Sequence, residues 1–325
     1  MDLITISMPI YNVEKCVRRA LLSALNQSYE NLEFLIVDDK GNDDSIEIVK
    51  DIALKHPRGE SIRILEHDYN RGTGATKNTA IMNAKGKYLY FMDSDDEISS
   101  DCIRKLYDEI LTSKVDVVCA SYRKITPTGI TNYNMQKSIE VDSESIILSF
   151  FDGRFPVYTW NKLYSLDFLK KFNIICVDSQ TIEDNYFTFQ VLLYAKSYSI
   201  IPDITYSYIL RTTSTTNANI WSLKIFEQWY DIFLDQLSLL KKQLLPSSLM
   251  KKVLEKLFWQ RVSVSERAMR DLPECEKYVN AYLSVPMECY CLNSSLVLFL
   301  AYFLSKSPYW IKKIFLKLHM SLYNL

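Results

Sequence analysis

The sequence predicts an α/β fold, with a mostly parallel central sheet flanked by helices and a helical C-terminal region after it. Three observations carry that reading. Strand-like apolar runs alternate with helical periods through roughly the first hundred residues, the pattern of a parallel sheet covered on both faces. All seven glycines lie in the first half, the last at Gly153, so tight turns and close backbone approaches to a ligand belong there. Beyond Asn219 the apolar spacing is helical almost throughout.

Leu3 to Met8 reads as the first buried strand, closed by Pro9, which has no N–H for a ladder. Tyr11-Asn12 is a turn, and Val13, Val17, Ala20, Leu21, Ala24 and Leu25 then recur at helical spacing, with Arg18 and Arg19 on the other side. Leu32 to Val37 is the second strand and ends in Asp38 and Asp39. Gly41-Asn42-Asp43-Asp44 is turn chemistry, with Asp44 or Ser45 able to cap a helix over Ile46 to Leu54. Ser61 to Glu66 is a short third strand. Asn70-Arg71-Gly72-Thr73-Gly74-Ala75-Thr76-Lys77-Asn78 is a basic, glycine-containing loop leading into a helix that Gly86 stops. The strand Lys87 to Met92 then runs into Asp93-Ser94-Asp95-Asp96.

Further on, Asp101 to Leu111 is a helix, Val115 to Ser121 a strand, Lys124 to Asn134 a loop or hairpin, and Asp142 to Phe151 a helix. Thr181-Ile182-Glu183-Asp184 precedes an amphipathic helix to about Ala195. Acid in a first turn complements the helix dipole, which is the purely structural reading of Glu183 and Asp184. Ile204 to Leu210 alternates as an edge strand, and Arg211 opens a polar stretch ending near Asn219. The expected domains are 1–219 and a helical region 220–325, with helices at about Ile220 to Leu245, Ser248 to Arg270 and Glu274 to Leu283.

In a parallel α/β sheet, ligands collect at the carboxyl ends of the strands, and Asp38, Asp39, Asp93 and Asp95 all fall at such ends. Strand alternation would point Asp93 and Asp95 the same way and Ser94 the opposite way. Two such carboxylates repel unless a cation lies between them, and oxygen-only ligands favour Mg²⁺ or Mn²⁺ over Zn²⁺. The plainer alternative is a solvated acidic turn.

Several chemistries are excluded. Gly72-Thr73-Gly74 lacks the third glycine of a dinucleotide fingerprint and follows the third strand, not the first. There is no phosphate-binding G-x-x-x-x-G-K-[ST] and no G-x-S-x-G elbow, and His56, His67 and His319 are too few and dispersed for a triad or zinc site. A nucleotidyltransferase would want a glycine-rich basic loop after the first strand, where this chain has Pro9-Ile10-Tyr11-Asn12-Val13-Glu14. The formal net charge of −1 gives no electrostatic reason to expect nucleic acid. Seven unpatterned cysteines and an N-terminus without a basic leader predict reduced thiols in a cytoplasmic protein.

Taken together, Ser7-Met8-Pro9-Ile10-Tyr11-Asn12-Val13-Glu14, Leu25-Asn26-Gln27-Ser28-Tyr29, Val37-Asp38-Asp39, Asn70-Arg71-Gly72 with Lys77-Asn78, and Asp93-Ser94-Asp95-Asp96 resemble a family 2 glycosyltransferase of the GT-A fold, of the bacterial polysaccharide type. Weaker echoes are Trp160-Asn161-Lys162-Leu163-Tyr164, Glu183-Asp184 before Phe187, and Tyr206-Ser207-Tyr208 with Arg211 and Ser214. The resemblance implies inverting transfer from a nucleotide sugar, with a UDP-sugar the expected donor, to a hydroxyl of a glycan or lipid-linked glycan in surface polysaccharide or glycoconjugate assembly. It implies that Pro9, Tyr11 and Glu14 border the nucleotide and Asp39 bonds the base. Gly72, Lys77 and Ser94 complete the donor site, and Asp93 contacts ribose or sugar. Asp95, with Asp93, would hold Mn²⁺ or Mg²⁺. Asp184 would be the general base, with Glu183 the alternative, and Trp160, Lys162 and Arg211 would serve acceptor or flap. Two departures stand out: Lys40-Gly41 follows the acidic pair where the family usually has Gly-Ser, and Lys77 stands where Arg is commoner, replacing a planar fork with a point charge. A second function class is a catalytically silent, membrane-associated partner subunit.

The last stretch differs from the rest. After Glu288 no acid occurs, while Lys306, Lys312, Lys313 and Lys317 interleave with Trp310, Ile311, Ile314, Phe315, Leu316 and Leu318. Such a helix suits the surface of an anionic membrane at the inner face of the cell membrane, with 292–325 as the contact. It suits equally a terminal helix docked on its own domain.

Overall fold

The computed structural model describes residues 1–177, 182–210, 221–284 and 295–323. The chain forms two compact units, Met1–Asn217 and Ala218–Leu325.

The first unit is built on a 10-stranded sheet. Strands β1 (Ile4–Ile10), β2 (Leu32–Asp38), β3 (Ile62–Glu66) and β4 (Tyr88–Phe91) are separated by helices α1 (Val17–Leu25), α2 (Ser45–Lys55) and α3 (Thr73–Asn83). All four strands are parallel: β1 pairs β2 on one side and β4 on the other, and β3 lies outside β2. The chain thus steps outward from β1 to β3, then returns to the opposite side of β1. That reversal between β1 and β4 is the switch point where α/β sheets bind ligands.

The remaining strands are β5 (Glu97–Ile98), β6 (Val117–Thr126), β7 (Gly129–Tyr133), β8 (Ser138–Glu140), β9 (Lys162–Ser165) and β10 (Tyr198–Ile209). The spatial order is β3-β2-β1-β4-β9-β6-β10-β5, with β7 on β6 and β8 on β10. β9 runs antiparallel between β4 and β6, and β6 and β10 are parallel.

Side chains alternate across this sheet as the strand period requires. Ile4, Ile6, Met8, Phe34, Ile36, Tyr90 and Met92 share a core with α1, α2 and α4 (Cys102–Ser113). On the other face Phe91 meets Tyr164 and Phe187 edge-on, the latter on α7 (Glu183–Tyr194). α5 (Ser143–Phe151) begins as a capped helix, its Asp142 carboxylate accepting from Ser145 N at 2.7 Å.

The structure departs from the sequence reading in instructive places. β1 runs through Pro9 to Ile10. Ser7 O accepts from Met92 N, so Pro9, two residues on, turns its nitrogen to the side where pairing with β4 has already ended. Helix α1 starts at Val17, later than its apolar period suggests. Asp44 holds the N-cap position of α2 as expected but makes no side-chain cap bond; the neighbouring Asp43 carboxylate accepts from Ser45 N and Oγ at 3.1 and 2.5 Å. β10 is no edge strand, since β6 and β5 flank it. β9 and α6 (Leu166–Lys171) are too short to show a period. Gly86 does more than end a helix: a Cβ there would lie 2.6 Å from Thr5 N and 2.7 Å from Tyr88 O, so glycine lets the turn into β4 press against β1.

The second unit is helical: α8 (Leu223–Lys241), α9 (Ser247–Asp271), α10 (Glu276–Leu283), α11 (Leu296–Lys306) and α12 (Tyr309–Tyr323). Among the described residues no helix is long and apolar enough to cross a membrane.

Candidate active site

At the end of β2 the Asp39 carboxylate is buried and accepts from Arg71 N and Gly72 N, both at 2.8 Å. His67 Nδ1 lies 2.7 Å from the same carboxylate and His67 Nε2 lies 2.8 Å from Thr79 Oγ1. Asp39 thereby fixes the loop entering α3, where Gly72 adopts a φ of 91° that only glycine takes without strain. Asp38 turns back to accept from Lys40 N at 3.1 Å, and Lys40, at φ 57°, stands exposed at the turn. From the end of β1, Tyr11 and Glu14 are exposed, Pro9 is half-buried, and Glu14 N donates to Asp43 Oδ2 at 2.9 Å.

β4 ends at Phe91, so strand alternation does not orient Asp93 and Asp95. A turn does, with Asp96 N donating to Asp93 O at 3.3 Å. It brings one oxygen each of Asp93, Asp95 and Asp96 within 4.8 Å of one another. Asp96 is fully buried and committed to β10, accepting from Tyr206 OH at 2.8 Å and Ile209 N at 2.7 Å. Tyr206 OH in turn accepts from Asp93 N at 3.2 Å. Ser94 is buried in the turn. Arg19, which the helical period alone assigned to the solvent side, reaches this turn from α1: it donates to Asp95 O at 3.0 Å and pairs with Glu97 at 2.5 Å.

Burial pushes the Asp93 carboxyl up to about 7 against the pull of Lys77, and the neighbouring charges of Asp95, Asp184 and Glu183 push the same way. Clustered, oxygen-only donors that repel one another suit a hard divalent cation. The donor set of this turn therefore fits Mg²⁺ or Mn²⁺, and both Asp96 oxygens already accept hydrogen bonds.

Facing this turn, Lys77 is buried on α3 with its ammonium 2.9 Å from Glu183 Oε1 and 2.6 Å from Asp184 Oδ1. Burial alone would lower its pKa, but Asp184 and Glu183 hold it well above the ordinary value. Lys77 is a fixed cation here. Thr159 Oγ1 also donates to Asp184 Oδ1, at 2.9 Å. The two acids at the start of α7 are unequal: the side chain of Glu183 is 8% exposed and that of Asp184 27%.

Trp160 is buried and stacks on Tyr158, Tyr206 and Tyr208 with ring centroids 3.6, 4.4 and 5.7 Å apart. Lys162 is fully buried, its amine donating to Tyr158 O and lying 4.0 Å from the centre of the Tyr158 ring. Burial lowers its pKa to about 8. Arg211 lies outside the described residues.

Pattern reading missed His67 and Thr159, and it had Asn161 and Tyr206 only as members of the weaker echoes, without the contacts they make. His67 carried a usable signal: it follows Glu66, the residue β3 sets beside Asp38, so strand-end adjacency alone puts it next to Asp39. Thr159 had none, because its relation to Asp184 depends on how the chain enters β9.

The family described as Glycosyl transferase family 2 matches residues 5–172. The chain is 27% identical over 249 residues to glycosyltransferase GlyA of Streptococcus pneumoniae, covering 73% of this chain and 34% of that one. It is 31% identical over 214 residues to the poly(ribitol-phosphate) beta-glucosyltransferase of Bacillus spizizenii, covering 64% and 32%. The chain thus spans about a third of each relative's length. Among solved structures it resembles residues 1–349 of S. aureus TarS in complex with UDP-GlcNAc (TM-score 0.75, 20% identity, 94% of this chain and 88% of that one). It also resembles the mannosyltransferase PcManGT from Pyrobaculum calidifontis in complex with GDP-Man and Mn²⁺ (TM-score 0.56, 14% identity, 92% and 78%). At these identities the structures speak for the fold.

Proposed function

The chain belongs to glycosyl transferase family 2 and is a glycosyltransferase, and from that premise we propose that it moves a sugar from a UDP-sugar to an acceptor hydroxyl, with inversion, in surface polysaccharide or glycoconjugate assembly. The observation that carries the proposal is the pair of acidic groups around Lys77. The Asp93–Asp95–Asp96 turn lies at the carboxyl end of β4, and Asp184 is held by Lys77 and Thr159. The UDP-GlcNAc bound to the TarS fragment and the glycopolymer named for the Bacillus relative support this donor and setting.

In this reading Pro9, Tyr11 and Glu14 border the nucleotide, while Asp39, already oriented by His67, and the Gly72 loop shape the base and phosphate side. Asp93 contacts the ribose or sugar, beside Ser94. Asp95 and Asp93 would hold Mn²⁺ or Mg²⁺, which when bound supplies positive charge for the departing diphosphate. Asp184 takes the acceptor's proton as the acceptor oxygen bonds to the anomeric carbon and the bond to diphosphate breaks on the opposite face. Lys77, paired with Glu183 and Asp184, completes the donor site in this reading. The acceptor is a glycan or lipid-linked glycan, and a cytoplasmic site of action goes with a nucleotide-sugar donor.

Calorimetry tests the donor reading. UDP and UDP-sugars should bind in Mn²⁺ or Mg²⁺ and lose at least about tenfold in affinity when EDTA removes the ion. No metal-dependent binding to any nucleotide sugar would sink it.

A further inference from the structure

We propose that the outward face of α11 and α12 is a docking surface for an anionic lipid bilayer, lying in its interface without crossing it. The inference stands apart from the donor chemistry.

Both helices pack against α9 and α10 with one face only. On α11, Leu298, Ala301 and Leu304 point inward, leaving Phe299 67% and Phe303 50% exposed. On α12, Leu316 is buried, and Trp310, Ile314, Leu318 and Leu322 are 62, 51, 60 and 70% exposed. Their spacing of four residues makes one stripe along the helix. A soluble surface seldom gathers so many large apolar side chains without a partner.

Charge decides which partner. Lys306, Lys313 and Lys317 are exposed beside this face, and residues 289–325 contain no Asp or Glu. A second copy docking face to face would set lysines against lysines. Anionic headgroups meet them favourably while the apolar stripe enters the acyl boundary. The fourth lysine is structural: Lys312 is buried, donating to Asn280 Oδ1 at 3.0 Å and Ser284 Oγ at 2.7 Å, and burial lowers its pKa. His319 Nδ1 pairs with Glu266 at 2.6 Å on the same inner side. These two anchors fix the rotation of α12 and so keep the apolar stripe outward.

Flotation of the full chain tests the proposal, using phosphatidylcholine vesicles with and without phosphatidylglycerol. The chain should float with the anionic vesicles alone, and less at high salt. The variant K306Q/K313Q/K317Q should partition about 100-fold more weakly, from roughly fivefold per lysine, and W310S/I314S/L318S should not float, with both keeping the parent's circular dichroism. Absence of flotation with anionic vesicles overturns the proposal, as does undiminished flotation of either variant. So does a dimer in sedimentation that the serine variant dissolves, since that gives the face to a second copy.

Discussion

At the scale of single residues, Lys77 pairs with both Glu183 and Asp184, and of those two carboxylates Asp184 stays partly open. Asp184 shares Lys77 with Glu183, so replacing its charge leaves the buried ammonium with one counterion and the fold intact. Asp184→Asn should therefore lower kcat about a thousandfold, the middle of the range for a lost general base, while UDP-sugar affinity by calorimetry changes less than about threefold. Full activity in that variant would transfer the role to Glu183. Lys162 makes a contrasting case, because among the described residues no carboxylate forms an ion pair with it. Its amine titrates near 10.5 when free and about 8 when folded, chiefly through burial. The folded state thus binds fewer protons than the unfolded chain between those values, so this group's contribution to stability rises with pH across that window, and below it the penalty is constant. Lys162→Met should stabilise the protein by about 1–3 kcal/mol at neutral pH, and the gain should shrink as pH rises from about 8 to 10.5, measured as the difference between parent and variant in urea melts at neutral pH and at the top of that window.

At the scale of elements, one residue joins three strands. Asn161, at the entry to β9, is buried with a φ of 56°. Its side chain donates to Ala120 O and Ser121 O at 2.8 and 3.0 Å on β6, and accepts from Thr205 Oγ1 of β10 at 2.7 Å. Asn161→Ala removes these bonds, leaves polar groups buried without partners and puts in the left-handed region a residue that tolerates it less well than asparagine. The expected cost is about 3 kcal/mol, read as a lower midpoint in denaturant. β9 itself was illegible because four residues carry too little period to separate strand from loop. The longer elements were legible: α2, α4, α5 and α7 lie within a residue or two of their expected ranges, and α2 and α4 expose one face and bury the other over several turns, whereas α7, expected to be amphipathic, has no exposed residue. β10 was recognised only in its second half, and as an edge, because pairing partners are not written in the strand that receives them.

At the scale of the whole molecule, the sheet of the first unit concentrates acid at the carboxyl ends of β2 and β4, and the second unit presents a basic, apolar helical face. The first feature was readable beforehand, and so was the choice of family, because the motifs are contiguous and sit at strand ends. For the terminal helices two alternatives stood open, docked on the domain or lying in a membrane. The structure shows α12 docked by its inner side through Lys312 and Leu316 while an apolar stripe faces outward. What the sequence by itself determined is the alternation of strands and helices, the turn positions and the supply of carboxylates, since period and turn chemistry act within about ten residues. Only the tertiary structure decided which of those groups meet. Lys77 reaches Asp184 across 107 residues and Tyr206 reaches Asp96 across 110, because strand order and register, set by packing the entire sheet, select such partners.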